Sequence, residues 1–158
     1  MRGVVALAML TALIVAACGS SAQLARSPAP AGRVIELTMQ TISFEPNVLT
    51  LKAGEHVTIR LRNRGSGEHE FMAGRSARPG TGGFQEDLLA GIKVDTKSST
   101  AAMSAMPEMS HAGFGLRVNA GQTAEASFEV PLLAGTYEFG CFVPGHYEAG
   151  MKGVLVIN

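Results

Sequence analysis

Short apolar runs with a period of two, each closed by turn residues, constrain this chain more than any other feature. In residues 56–63, HVTIRLRN, the side chains of Val57, Ile59 and Leu61 fall on one face, and those of His56, Thr58, Arg60 and Arg62 on the other. That alternation is the mark of a strand with one face in a core and the other in water. Similar runs occur at residues 34–39, 47–51, 115–118, 123–130, 136–142 and 152–158, separated by turn signals at Ala53-Gly54, Ala120-Gly121 and Ala134-Gly135. No sustained helical period appears beyond the N-terminal segment. The expected fold is all-β, a sandwich with Greek-key connections.

One region breaks the rhythm. Between Phe71 and Phe114 lies a long insertion with the turn-rich segment RPGTGG at residues 78–83. Within it, FQEDLLAG (84–91) reads as a helical turn and IKV (92–94) as a short strand. An excursion of this length in a small sandwich is usually functional or loosely ordered.

The N-terminus speaks to compartment. Arg2 precedes the uncharged run VVALAMLTALIVAA, residues 4–17, which is short for a mature membrane span but has the length and flanks of an export signal. Val15-Ala16-Ala17-Cys18 resembles the lipobox of bacterial lipoproteins, which implies that Cys18 is diacylated and becomes the mature N-terminus. An ordinary signal peptide cut nearby and an uncleaved anchor are the alternatives. Residues 19–32 are rich in Ser, Ala, Pro and Gly and read as a tether. The expected organisation is thus a signal at 1–17, a lipidated cysteine and tether at 18–32, and one domain at 33–158, exported to the cell envelope and held on a membrane. Lys+Arg 13 balances Asp+Glu 13, without a basic run interleaved with aromatics, so nucleic-acid binding has no support.

The chain has two cysteines, and with Cys18 assigned to lipid, Cys141 is an unpaired thiol in an oxidising compartment. A buried cysteine acting as a small hydrophobe is the plain explanation. Its neighbours argue for metal. In CFVPGHYEAGM (141–151), Cys141, His146 and Met151 are evenly spaced with four residues in each gap. A thiolate, an imidazole and a weak thioether, completed by a second histidine, form the ligand set of a blue-copper site. Among His56, His69 and His111, His56 lies on the polar face of its strand. His69 instead follows the glycine-containing loop NRGSGE and opens the apolar segment EFMA, at the end of the sandwich where a ligand from the second sheet should arrive.

Together, NRGSGEHEFM, CFVPGHYEAGM and KGVLVI resemble the cupredoxin family of type 1 copper proteins, with a ligand spacing most similar to the small auracyanin- and sulfocyanin-type members. The resemblance implies one copper ion at one end of the sandwich, held by His69, Cys141 and His146 and weakly by Met151. It also implies a monomeric one-electron carrier serving redox partners such as a cytochrome, an oxidase, a reductase or a photosynthetic complex. In one respect the chain departs from the family: asparagine often follows the first ligand histidine, and here Glu70 does.

Two other classes of function compete with electron transfer. Met103, Met106, Met109 and His111 in MSAMPEMSH offer soft donors suited to Cu(I), the signature of an exported copper chaperone or resistance protein. Packing or docking is the plainer role for such methionines, and Pro107 interrupts any helix that would align them. Multicopper catalysis needs more histidine than four residues without a His-x-His pair supply, so no enzymatic activity is expected.

Overall fold

The computed structural model describes residues 32–80, 82–98 and 113–158. Among these residues there is no helix, and eleven strands form two mixed sheets that close over one core. The first sheet runs β2-β1-β4-β9-β7, built from β1 (Arg33–Met39), β2 (Phe44–Glu45), β4 (His56–Asn63), β7 (Asp95–Ser98) and β9 (Thr123–Glu129). The second runs β3-β11-β10-β5-β6, from β3 (Val48–Leu51), β5 (His69–Ala77), β6 (Phe84–Asp87), β10 (Gly135–Gly140) and β11 (Lys152–Ile157). β8 (Leu116–Val118) pairs with the start of β5, matching His69 with Val118 and Phe71 with Leu116.

The expected sandwich is what the chain forms, because the period-two pattern leaves each sheet one apolar face. Leu37, Met39, Val57, Ile59, Leu61, Ala124, Ala126 and Phe128 bury from the first sheet, and Leu49, Leu51, Phe71, Tyr137, Phe139, Leu155 and Ile157 from the second. The outer face of the first sheet stays polar. There Arg60 bonds Glu36 at 2.6 Å and Glu125 at 2.7 Å, and Arg62 bonds Glu36 at 2.9 Å. β5 differs in being buried on both faces over its first six residues. Its outer side is roofed by a second apolar cluster of Met72, Phe84 and Tyr147, with Phe142 packed alongside.

The described parts of the region from Phe71 to Phe114 are more regular than their composition implied. FQEDLLAG is not helical: Phe84–Asp87 is strand β6, pairing with β5 through Gly74↔Asp87 and Ala77↔Phe84. Edge pairing to β5 outweighs the weak local helical preference, and the turn that follows sends Leu88 and Leu89 into the core. IKV is not a strand either. Pairing to β9 begins only at Asp95, opposite Ser127, while Ile92 and Val94 pack partly buried against the core. The methionine cluster Met103, Met106, Met109 with His111, and likewise Cys18, lie outside the described residues.

Gly74 lets β6 approach. A Cβ there would lie 2.2 Å from the Glu86 carbonyl oxygen and 2.6 Å from the Phe84 Cβ. Gly74→Val is therefore expected to cost about 1–3 kcal/mol of overpacking, measurable as a lowered denaturation midpoint. An unchanged midpoint would mean that β6 does not dock on β5 as described.

Candidate metal centre

The strand directions gather the loops at 64–68 and 141–151 at one end of the sandwich. β4 ends there at Asn63, and β5 starts there at His69. Asn63 is 2 % exposed and makes three bonds, two to the connecting loop and one to β8. Its amide donates to the Gly67 carbonyl at 2.8 Å and the Val118 carbonyl at 2.7 Å, and its Oδ1 accepts from the Gly65 N–H at 2.8 Å. Gly65 itself leaves room for the histidine ring, since a Cβ there would lie 2.7 Å from His69 Nε2. Asn63 was missed in the sequence, although a signal exists: it continues the inward register of Val57, Ile59 and Leu61 with a polar residue.

Cys141 follows the last residue of β10, and its N–H donates to the Met151 carbonyl at 3.1 Å. The chain then folds back on itself. His146 N–H donates to the Val143 carbonyl at 2.9 Å, and Met151 N–H to the His146 carbonyl at 2.9 Å. Gly145 (φ 84°) and Gly150 (φ 100°) supply the left-handed backbone that lets this loop close. The two intervals of the motif thus become one knot of backbone bonds with both ends fixed in the second sheet.

Three of the four expected ligands meet there. The ligand atoms of His69, Cys141 and His146 all lie within 4.8 Å of one another. Cys141 Sγ is 3.3 Å from His146 Nδ1 and 3.9 Å from His69 Nδ1, and the two Nδ1 atoms are 3.2 Å apart. Met151 is fully buried in the same core cluster as Cys141. His56 stands apart, exposed on its strand and 3.7 Å from Glu129.

The surroundings suit a soft cation. Cys141 Sγ accepts the Glu70 N–H at 3.3 Å, and Val143 N–H also points to it. Burial nevertheless pushes the thiol up from its ordinary value, with the two N–H groups opposing and the Glu70 and Glu68 carboxylates adding to the rise. Burial, reinforced by His146, pulls His69 down, against the Gln40 carbonyl. Its outer nitrogen, Nε2, is buried and makes no hydrogen bond of good geometry. Burial thus disfavours both the charged thiolate and the charged His69 ring here, while two imidazole nitrogens are turned toward each other. A metal ion that takes the thiolate and both Nδ1 atoms matches this donor set.

Glu70 accounts for the departure from the family pattern. Its backbone N–H makes the bond to the sulfur, while its carboxylate, 10 % exposed, faces the other side of β5 and pairs with Arg117 Nε at 3.3 Å. Arg117 also reaches Glu68 at 3.2 Å. Beneath the site, Phe71 and Phe139, each two residues from a ligand, form an aromatic layer with Phe44.

Fold and donor set define a small copper-binding sandwich domain. The chain belongs to the cupredoxin family by its relatives CopI and auracyanin-A, and the cupredoxin-like domain model matches residues 6–78. It is 36% identical over 132 residues to the copper-resistant cuproprotein CopI of Rubrivivax gelatinosus, covering 82% of this chain and 69% of that protein. It is 30% identical over 166 residues to auracyanin-A of Chloroflexus aurantiacus, covering 96% and 94%. The solved structure of auracyanin B superimposes with a TM-score of 0.56 at 23% identity, over 84% of this chain and 93% of that one, a likeness of fold. Copper is the cofactor of this family and the ion that the pocket fits.

Proposed function

We infer that this protein is a mononuclear type 1 copper electron carrier tethered to the outer face of a membrane, with His69, Cys141 and His146 as ligands and Met151 as a weak axial donor. The observation that carries the reading is the Nδ1, Sγ, Nδ1 cluster of His69, Cys141 and His146, the first two buried, where β5 meets a loop bonded at both ends. Bound copper would supply a one-electron couple. The protein's part is to hold the donors still: β5 fixes His69, β10 fixes Cys141, and the Met151 and His146 backbone bonds close the loop. Little rearrangement between oxidation states means a small barrier to transfer. Of the four side chains only His146 is not fully buried, so it is the natural exit toward a redox partner in solution or in the membrane. The signal at 1–17, lipidation of Cys18, the tether to residue 32 and a monomeric state belong to the same reading.

A second reading has specific support. Two relatives are copper-resistant cuproproteins, at 36% and 31% identity, and the methionine cluster at 103–111 offers Cu(I) donors. The two readings part in the Cys141→Ser chain titrated with Cu(I). Electron transfer alone predicts that stoichiometric binding disappears, and reversible one-electron voltammetry for the native protein. A stoichiometric site surviving in Cys141→Ser would favour copper handling.

The Glu70 carboxylate should tune the couple. A negative charge behind the thiolate favours the oxidised ion, so Glu70→Gln should raise the reduction potential. About 1 kcal/mol of lost charge interaction corresponds to roughly 40 mV for one electron. Arg117→Gln, which leaves the carboxylate uncompensated, should lower it. Voltammetry that finds both variants at the native potential would remove Glu70 from the account.

A further inference from the structure

We propose that the loop between β9 and β10, with Leu132 and Leu133 at its tip, is a lipid-contact site that seats the end of the sandwich opposite the metal centre on the membrane surface. This rests on the tethered reading above and goes beyond it, since a tether alone leaves the domain free to tumble.

Leu132 is 77% exposed and Leu133 71%, the two highest values among the large hydrophobic residues described. Scattered exposed apolar side chains are ordinary, but two adjacent leucines at a loop tip are not scattered. Nor is the loop loose. Tyr137 Oη donates to the Leu133 carbonyl at 2.9 Å, and the Gly54 N–H to the Val130 carbonyl at 2.9 Å. Leu132 Cδ2 rests against Gly54, 3.2 Å from where a Cβ would stand. The leucines are held outward rather than left outward.

The occupant follows from where the remaining chain arrives. Gly32, the first described residue, borders the same groove as Leu132, Pro131 and Ile92. The proposed lipid attachment, Cys18, is therefore linked to this end of the domain by residues 19–31. By its Ser-, Ala-, Pro- and Gly-rich composition a tether of that length has a reach on the order of 20 Å, which keeps the loop at high effective concentration beside the bilayer, where even a weak apolar contact is populated. Charge does not oppose it: Arg33, Lys52 and Lys93 are interspersed with Glu55, Asp95 and Glu129. The contact is apolar in character and should be insensitive to salt. β4 runs from this end at His56 to the metal end at Asn63, a rise of roughly 23 Å. A domain seated on Leu132 and Leu133 thus presents His146 away from the lipid.

The chain contains no tryptophan, so Leu133→Trp introduces a single indole at the tip. The full lipidated chain, copper-free, would be reconstituted on phosphatidylcholine vesicles with and without brominated lipid. The expected result is blue-shifted emission that brominated lipid quenches at least about twofold, unchanged by salt. Ala120→Trp, exposed at the metal end, should remain water-like and unquenched. Flotation of the chain with vesicles while Leu133→Trp stays water-like would overturn the contact and leave the tether standing. Failure to float would overturn the tether and the contact with it. A blue shift that needs no vesicles and grows with protein concentration would assign the loop to a second copy of the chain and also overturn the proposal.

Discussion

Cys141→Ser is expected to abolish the intense visible absorption of the copper(II) protein entirely, and to lower copper affinity by at least about 100-fold, since even the outer partners of metal ligands are worth 10- to 100-fold. The colour of such a centre comes from charge transfer out of the thiolate, and an alcohol is neither soft nor readily ionised. The surrounding structure makes the loss more complete. Cys141 is wholly buried, with the Glu70 and Val143 N–H groups aimed at its sulfur. A hydroxyl would keep its proton there, because burial already holds the more acidic thiol up. Fold stability should change little: the Cys141 backbone bond to Met151 remains. Absorption and copper titration of the purified variant check this. A variant retaining the native band would show that the chromophore lies elsewhere in the chain.

Phe139→Ala is expected to destabilise the metal-free protein by about 3–5 kcal/mol, a large share of the 5–15 kcal/mol that holds a typical domain together. Phe139 is 0% exposed, lies 5.2 Å from Phe44 and 5.7 Å from Phe71 between ring centroids, and fills space that Gly153 leaves open. A Cβ at Gly153 would stand 2.3 Å from Phe139 Cζ. The two positions face each other across β10 and β11, so no neighbour can collapse into the void without moving a strand. Chemical denaturation measures the loss. The folded fraction should keep its visible band, because the ligand loop is bonded through its own backbone. A loss below about 1 kcal/mol would mean that the aromatic layer is not the keystone beneath the site.

Much of this was readable beforehand because it is written in period-two alternation. HVTIRLRN placed Val57, Ile59 and Leu61 inside and Arg60 and Arg62 outside, where the structure has them. The 141–151 motif was legible because ligand chemistry demands particular residue types at close spacing, and His69 because it stands where polar loop turns to apolar strand. What failed was short and weakly patterned. β6 pairs at the edge of the second sheet, and β7 at the edge of the first. Their identity comes from the partner strand rather than from FQED or DTKS themselves, so a local reading assigned helix to one and shifted the other. The Asn63 clamp and the Glu70 to Arg117 pair escaped for a related reason. Each joins strands distant in sequence, and one polar residue in an apolar register does not reveal its partner.

The proposed site holds a single copper ion between two imidazoles and one thiolate. Copper X-ray absorption on the full chain loaded with one equivalent tests it most directly. One short copper–sulfur bond and two copper–nitrogen bonds from imidazole are expected, the sulfur bond lost in Cys141→Ser and one nitrogen bond lost in His69→Ala. A first shell made only of thioether sulfur, or one of nitrogen and oxygen without the short sulfur, would contradict it.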